Sequence, residues 1–412
     1  ACLMKASVYI GCIDTGIWIH GEVARMCIYE EDIFLGSMLV DMYAKFGLLK
    51  KAQEVFDNLI VKDTVSWTSL IAGYAQQERR EEALACFKEM QWESISPDVV
   101  TYACILSICG SMRAIMEGRK VHCEIMKKGL LERDLGLSNT LIEMYAKSGS
   151  LVEAQEIHDK LRVRDIVSWN VLIGGYVKHE NSEEVLFLFK QMQRDEIYPD
   201  AVTFAYILKA CGDVGACESG TEIHAYIEAL GLLATNPIVM TALMDMYAKC
   251  GLLAKSKEVF DKLPEVDIVS WNSLITGYAQ LGETENVIST FEKIIADGCE
   301  PNSVTYVSVL TACSHTGMVD IGHCIFESII KEFDITHHSP CMIDLFSRVG
   351  QLEKAFAIVE HSPSHPNVVM WLILLGACTR WSNSELGGLV FKQVLELHER
   401  EAAAYICMGT LC

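Results

Sequence analysis

Apolar positions recur along this chain at the spacing of an amphipathic α-helix. Within residues 166–200 they form two helical faces separated by a short polar stretch, which predicts a helix, a turn and a second helix. The first face is made of Val167, Leu172, Ile173 and Tyr176, and the second of Val185, Leu186, Phe189 and Met192. The pattern continues on both sides of this segment, so the sequence predicts a chain of helical pairs.

The helical pattern is itself repeated at a constant interval. Trp67, Trp169 and Trp271 stand 102 residues apart, and a proline, a tyrosine and a histidine keep the same step around each of them. Such repetition indicates an array whose units bury their core against their neighbours and whose function depends on the positions that vary. The interval divides into helical pairs of 35, 36 and 31 residues.

In this register the whole chain can be divided into units. The predicted fold is all-α, a right-handed α-solenoid of tandem helix-turn-helix repeats. The predicted units are a truncated one at 1–32, then 33–63, 64–98, 99–134, 135–165, 166–200, 201–236, 237–267 and 268–302, two final ones within 303–367, and an irregular, truncated segment at 368–412.

Composition and charge limit the functions that this array can have. The longest apolar run, Val368–Cys378, is too short to cross a bilayer, so no membrane partner is predicted. A formal net charge of −21 opposes binding to a polyanion unless basic side chains gather on one face. The chain begins inside a repeat, so we interpret it as a fragment or a processed product that would have lost any targeting segment.

The 17 cysteines do not show the spacing of a metal or redox site, because no C-x-x-C occurs. Cys109, Cys211 and Cys313 keep the 102-residue step at places that need a small apolar residue. We therefore expect buried, reduced cysteines and no metal. No nucleotide or hydrolase motif is present.

A zinc deaminase needs a His-x-Glu and a Pro-Cys-x-x-Cys motif. His20-Gly21-Glu22 and His122-Cys123-Glu124 match the first half, but both histidines belong to the repeat. Pro340-Cys341 is followed by Asp344 where the second cysteine is required. The sequence therefore predicts no enzyme and no cofactor.

The alternating unit lengths and two recurring motifs resemble those of one family of repeat proteins. The motifs are Trp-Asn-Ser-Leu-Ile-Thr-Gly-Tyr at Trp271–Tyr278 and Asp-Met-Tyr-Ala-Lys-Cys-Gly at Asp245–Gly251. They resemble the plant pentatricopeptide repeat (PPR) proteins of the PLS subclass, whose S, P and L units have 31, 35 and 36 residues, over essentially the whole chain. Tetratricopeptide arrays share part of the pattern but keep one length of 34 residues.

The C-terminal part resembles the final short repeat and the E-type extension of organellar RNA editing factors, on Cys341–Phe346 and Trp371–Cys378. The resemblance implies a factor that binds single-stranded RNA in mitochondria or chloroplasts and positions a transcript for cytidine-to-uridine editing. A deaminase or accessory editing protein acting in trans would then dock on 368–412.

In the family that this chain resembles, each unit reads one base with its fifth and its last residue. The resemblance implies guanine for Thr68 with Asp98 and for Thr241 with Asp267, and weakly guanine for Ser37 with Asp63. It implies uracil for Asn139 with Asp165 and for Asn170 with Asp200, and cytosine more than uracil for Asn272 with Asn302. The L units carry Ala103, Ala205 and Val307 at the fifth position, which cannot form a hydrogen bond, and are expected to be nearly unselective. The implied target is 5′-GGxUUxGCxx.

Two further sets of residues are candidates for RNA contact. The resemblance implies that the second residues of the P units, Val65, Val167 and Val269, hold bases between them; packing in the core is the alternative. A row of lysines could neutralise phosphates, and a solvated helix end is the alternative. The row consists of Lys45, Lys147, Lys178 and Lys249.

Two other functions fit the same sequence. A scaffold that binds proteins would suit the acidic composition, and the polar pairs would then only cap helices. A decayed paralogue would explain the positions at which the chain departs from the family pattern, such as Ser339-Pro340.

Overall fold

The computed structural model describes residues 2–25, 32–234, 236–263, 266–322, 324–325, 339–348, 350–360, 368–397 and 402–411. All regular secondary structure in these ranges is helical, which confirms the all-α fold class. The chain forms two compact units, Ala1–Thr203 and Phe204–Cys412. Where both helices of a repeat are described, a short turn joins them.

The first unit is built from twelve helices among its described residues. They are α1 (Cys2–Ile10), α2 (Ile13–Arg25), α3 (Ile33–Lys45), α4 (Leu49–Asp57), α5 (Thr64–Gln76), α6 (Arg80–Trp92), α7 (Val99–Met112), α8 (Ile115–Lys127), α9 (Leu135–Lys147), α10 (Leu151–Asp159), α11 (Ile166–Lys178) and α12 (Ser182–Arg194).

Helix α13 (Ala201–Val214) contains the division between the two units. A 3₁₀ turn at Leu232–Ala234 follows the next helix. The remaining helices whose two ends the structure describes are α14 (Cys217–Ala229), α15 (Pro237–Lys249), α16 (Leu253–Asp261), α17 (Ile268–Gln280), α18 (Thr284–Ala296), α19 (Ser303–Thr316), α20 (Ser339–Arg348), α21 (Leu352–Glu360), α22 (Val368–Arg380), α23 (Ser384–Leu397) and α24 (Ala402–Leu411).

The odd-numbered helices α3 to α19 begin at the residues at which the predicted units begin, because the last residue of each unit caps the helix that follows. Asp63 shows how: its Oδ1 accepts the backbone N–H of Ser66 at 2.8 Å, and the Ser66 hydroxyl closes a capping box. Such a bond satisfies one of the free N–H groups of the first turn. The predicted limits near residue 336 and at 367 lie outside the described residues.

The repeated tryptophans lie in the core. Trp67 and Trp169 are 1% exposed and Trp271 is 6% exposed. Each packs on a ring from the preceding helix, with centroid distances of 4.6 Å to Phe56, 4.4 Å to His158 and 4.5 Å to Phe260. The tryptophans therefore mark equivalent places in successive units.

The cysteines Cys109, Cys211 and Cys313 are fully buried, as expected from their place in the repeat. Burial raises the pKa of each thiol to about 11, so all three are protonated at neutral pH. They act as small apolar side chains.

A glycine allows neighbouring units to approach closely. A Cβ atom on Gly175 would lie 2.6 Å from the Cβ of Ala146, so α9 and α11 could not keep their present distance with any larger residue there. Among the described residues, no helix is long and apolar enough to cross a membrane.

Candidate nucleic-acid interface

Four of the six predicted base-reading pairs are in direct contact. The fifth residue lies on the first helix of its unit, and the last residue caps the first helix of the next unit, so adjacent first helices bring the two side chains together. The distances are 2.8 Å for Ser37 Oγ to Asp63 Oδ1, 3.5 Å for Thr68 Oγ1 to Asp98 Oδ1, 3.1 Å for Asn170 Nδ2 to Asp200 Oδ1 and 3.0 Å for Asn272 Nδ2 to Asn302 Oδ1.

The other two pairs are not joined by a hydrogen bond in the described part of the chain. The Thr241 hydroxyl donates to the carbonyl groups of Pro237 and Ile238, at 3.1 and 3.0 Å, and not to Asp267. Asn139 is only 8% exposed, and its Oδ1 has no hydrogen-bond partner among the described residues. Asp165, its predicted partner, is engaged by Ser168. Base reading by these pairs stays a prediction.

A third side chain joins the P-unit pairs, and the sequence reading missed it. The hydroxyl of Thr203 lies 2.7 Å from Asn170 Oδ1 and 2.9 Å from Asp200 Oδ1. Thr101 and Thr305 make the equivalent contacts, at 2.6 Å from Thr68 and from Asn272. The signal was in the sequence, as a threonine three residues after the last residue of every P unit.

The last residues are held as hydrogen-bond acceptors. Burial by itself raises the pKa of Asp200, but hydrogen bonds from the Thr203 amide, the Asn170 amide and the Thr203 hydroxyl outweigh it, and the pKa is lowered. Hydrogen bonds from the side chain and then the backbone of Ser270 lower the pKa of Asp267. Both carboxylates are therefore ionised at neutral pH and only accept.

The valines beside these pairs are exposed. Val65, Val167 and Val269 are 55%, 51% and 55% exposed, which rules out packing in the core for them. Most other units carry an exposed apolar side chain at the same second position, which the sequence reading did not single out. These residues are Phe34, Val100, Val202, Ile238, Val304 and Val369. Gly136 interrupts the row in unit 135–165.

Three of the four candidate phosphate-binding lysines already have a carboxylate partner. The partner is one helical turn earlier in each case, with Nζ to oxygen distances of 2.7 Å for Lys45–Asp41, 2.7 Å for Lys147–Glu143 and 3.0 Å for Lys249–Asp245. Lys249 has a second partner, Asp213, at 2.7 Å. Lys178 is exposed and forms no ion pair within the described residues. A phosphate would have to compete with a carboxylate at all but Lys178.

The histidines of the half-matched deaminase motif serve the fold. Nδ1 of His20 lies 2.7 Å from the Tyr43 hydroxyl, and Nδ1 of His122 lies 2.9 Å from that of Tyr145. Burial lowers the pKa of both rings. In the ranges that the structure describes, no group of three His, Cys, Asp or Glu side chains could hold a metal ion.

Repeated helical pairs with polar pairs and apolar side chains at fixed positions define a helical repeat protein with a periodic surface site. Two models of the PPR repeat match the chain. One, described as the PPR repeat family, covers residues 62–111, 164–213 and 266–315, and the other, described as the PPR repeat, covers 37–63, 138–166 and 238–268. Together they cover more than half of the chain, which belongs to the PPR repeat family.

Curated relatives align with nearly the whole chain, and a solved structure superposes on most of it. A mitochondrial pentatricopeptide repeat-containing protein of Arabidopsis thaliana is 36% identical over 99% of this chain, and a chloroplastic one is 32% identical over 99%. The chain spans 60% and 48% of their lengths. The pentatricopeptide repeat protein PPR10, in complex with an 18-nucleotide psaJ RNA element, superposes with a TM-score of 0.56 at 17% identity, over 92% of this chain and 62% of that one.

Proposed function

We propose that this chain binds single-stranded RNA in a sequence-specific manner, one nucleotide per helical pair, and has no catalytic role itself. The observation that carries the proposal is the hydrogen-bonded pair of fifth and last residues beside an exposed valine. Asn170 with Asp200 and Asn272 with Asn302 both show it. Such a site combines polar groups at the edge of a base with apolar contact to its face.

The proposed target follows from the pairs as 5′-GGxUUxGCxx. PPR10, a family member with the same fold, is solved in complex with RNA, which supports an RNA ligand for this chain. The pairs Ser37–Asp63, Asn139–Asp165 and Thr241–Asp267 are included as proposals on their residue types, and Val65, Val167 and Val269 as the side chains that hold bases.

We further propose a role as a site-recognition factor of the PLS subclass in cytidine-to-uridine editing, in a mitochondrion or a chloroplast. The relatives include proteins of both organelles. The apolar helices α22 to α24, after the last predicted repeat, are the surface on which an editing deaminase or accessory protein acting in trans would dock. Reconstituted editing of a GGxUUxGC-containing transcript, with and without residues 368–412, tests this role.

The RNA code is tested by exchanging one base-reading residue. Asn170→Thr recreates the pair found at Thr68 and Asp98, so the preference at the fifth nucleotide should change from uracil to guanine. One good base contact is worth about 1–3 kcal/mol, so the ratio of the two affinities should invert by about tenfold or more. Fluorescence anisotropy with four probes that differ only at that nucleotide measures it.

Asn272→Thr is the matched control, because it makes the same change in another P unit. It should alter the preference at the eighth nucleotide and leave the fifth unchanged. A uniform loss of affinity for all probes in both variants would mean that the asparagines support the fold and do not read bases. Equal affinity of the unaltered protein for GGxUUxGC and a scrambled probe would refute sequence-specific binding.

The net charge of −21 favours a second candidate, a scaffold for proteins. Anisotropy at 50 and 200 mM salt separates the two. A protein scaffold would show no saturable RNA binding at either salt concentration. An RNA-binding protein would retain selective binding at the lower concentration.

A further inference from the structure

The hydroxyl groups of Thr101, Thr203 and Thr305 lie between the side chains to which the proposed function assigns base reading. Each threonine is the third residue of the unit that follows a P unit. It contacts the fifth residue of that P unit, 33 positions earlier in the chain. At the same time its backbone N–H is held by the last residue of the P unit.

In the unit 64–98, the threonine determines what Thr68 can offer to a base. Thr101 Oγ1 lies 2.7 Å from Asp98 Oδ1 and 2.6 Å from Thr68 Oγ1. An ionised carboxylate only accepts, so Thr101 donates to Asp98. The single proton of the Thr68 hydroxyl then goes to Thr101 at 2.6 Å and not to Asp98, which is 3.5 Å away. The Thr68 hydroxyl therefore has only lone pairs left, which suit the N–H groups of guanine.

In the unit 268–302, the same arrangement makes the fifth residue a donor. The Thr305 hydroxyl donates to Asn272 Oδ1 at 2.6 Å, and Asn272 Nδ2 donates to Asn302 Oδ1 at 3.0 Å. Asn302 Oδ1 is fixed in turn by the backbone N–H groups of Val304 and Thr305. The amide of Asn272 cannot turn over without losing both bonds, so an N–H of its amide is left for a pyrimidine oxygen.

We propose that Thr101, Thr203 and Thr305 are positioning residues that set whether the neighbouring base-reading side chain presents a donor or an acceptor. The inference rests on the proposed function and adds a third residue to each reading pair. It assigns sharp selectivity to the P units and weaker selectivity to units in which this hydroxyl is used otherwise.

Asn139 shows the second situation. The residue that corresponds to Thr203 is Ser168, whose hydroxyl donates to the backbone carbonyl of Asp165 at 2.7 Å. No hydroxyl reaches Asn139, and its buried Oδ1 has no partner among the described residues. Asn139 and Asn170 are thus both asparagines whose unit ends in an aspartate, and only Asn170 is contacted by a hydroxyl group from the next unit.

The test removes the hydroxyl of Thr203 without changing its shape. In Thr203→Val, the preference for uracil at the nucleotide facing unit 166–200 should fall about 3- to 10-fold, the equivalent of one hydrogen bond. The preferences at all other nucleotides should stay unchanged. Thr203→Ser keeps the hydroxyl and should retain the preference. A Thr203→Val protein with the full preference, or a Thr203→Ser protein without it, overturns the inference.

Ser168→Ala is the matched control for the loss of a helix cap. It removes the equivalent capping hydroxyl, which among the described residues contacts only the backbone of Asp165 and no base-reading side chain, so stability should fall while every base preference is kept. If Ser168→Ala lowers the preference at the unit 135–165 as much as Thr203→Val does at its own unit, the effect comes from capping and the inference is wrong.

A second readout keeps the inference separate from the proposed function. With ¹⁵N-labelled asparagine in the RNA-free protein, hydrogen exchange of the Asn170 side-chain amide should become faster in Thr203→Val and stay slow in Thr203→Ser. Unchanged exchange in Thr203→Val overturns the inference, whatever RNA does. Equal binding of all four bases by the unaltered protein refutes the proposed function, and the exchange rates still decide whether Thr203 holds the amide.

Discussion

Replacing His158 by phenylalanine should make the protein more stable, and more so in acid. His158 is fully buried against Trp169, and neither of its ring nitrogens has a hydrogen-bond partner among the described residues. At the equivalent places the ring is Phe56 and Phe260. The site therefore has the shape of a buried aromatic ring, and the charged group nearest to its nitrogens is the Asp159 carboxylate, 3.8 Å from Nδ1.

The magnitude follows from the pKa of His158. Burial, and after it the positive charge of Arg164, lowers that pKa from 6.5 to about 4. Between these values the unfolded chain binds a proton and the folded chain does not, so stability falls as the pH falls. Linkage gives a loss of about 2 kcal/mol between pH 7.5 and 5. Unsatisfied ring nitrogens add about 1–3 kcal/mol at either pH.

Urea unfolding followed by tryptophan fluorescence, at pH 7.5 and at pH 5, measures both effects. Groups that titrate in both proteins cancel in the difference between His158→Phe and the unaltered protein. The stabilisation should be about 2 kcal/mol larger at pH 5. Phe260→His is the reverse control and should introduce the same pH dependence. The same gain from His158→Phe at both pH values would refute a buried neutral histidine.

Three other perturbations test the surface and the packing. Val167→Ala should change stability by less than about 0.5 kcal/mol, since the side chain is exposed. It should weaken RNA binding about 3- to 10-fold for all sequences. Unchanged affinity would mean that this valine does not contact RNA. Lys178→Gln should reduce the slope of log affinity against log salt concentration by about 0.7. Lys249→Gln should change that slope little, because two aspartates neutralise this lysine. Equal effects of the two substitutions would contradict a phosphate contact that is specific to Lys178. Gly175→Ala should lower the free energy of unfolding by about 1–3 kcal/mol, because its Cβ would approach the neighbouring helix to 2.6 Å. Gly376→Ala is the control and should not lower it, because no atom lies within 4 Å of the added Cβ. Urea midpoints that rise in both variants would show that the helices separate freely.

The helices and the core could be predicted because they depend on local periodicity. Helical spacing places Trp169 on a buried face, and the position of Asp165 before an apolar run marks a helix start. Exposure of Val167 could not be predicted. The first turn of a helix has one side towards the core and one towards solvent, and valine is common on both.

The candidate site was predictable in its residue types and not in its contacts. Asn139 with Asp165 and Asn170 with Asp200 are identical pairs in sequence, but only the second pair is joined by a hydrogen bond. Fewer residues separate Asn139 from Asp165 than separate Asn170 from Asp200. Ser168 also occupies, after the S unit, the position that Thr203 occupies after the P unit. The contact between the fifth and the last residue thus depends on the third residue of the next unit, which lies outside the unit that contains the pair.

The acidic charge and an RNA ligand are compatible if bases, and not phosphates, supply most of the affinity. The carboxylate of Asp200 is occupied by a helix N-terminus and by Asn170, so its charge is offset at the site itself. The lysines that could meet phosphates are mostly paired with carboxylates, which leaves Lys178 as the free cation of its row in the described structure. Binding should therefore depend only weakly on salt, with a slope close to that of one or two phosphate contacts, about −0.7 to −1.4. A steeper slope would require basic side chains outside the sites described. A shallow slope means that non-specific binding is weak. The fixed donors and acceptors of the P units would then be the main determinant of which RNA sequence is bound.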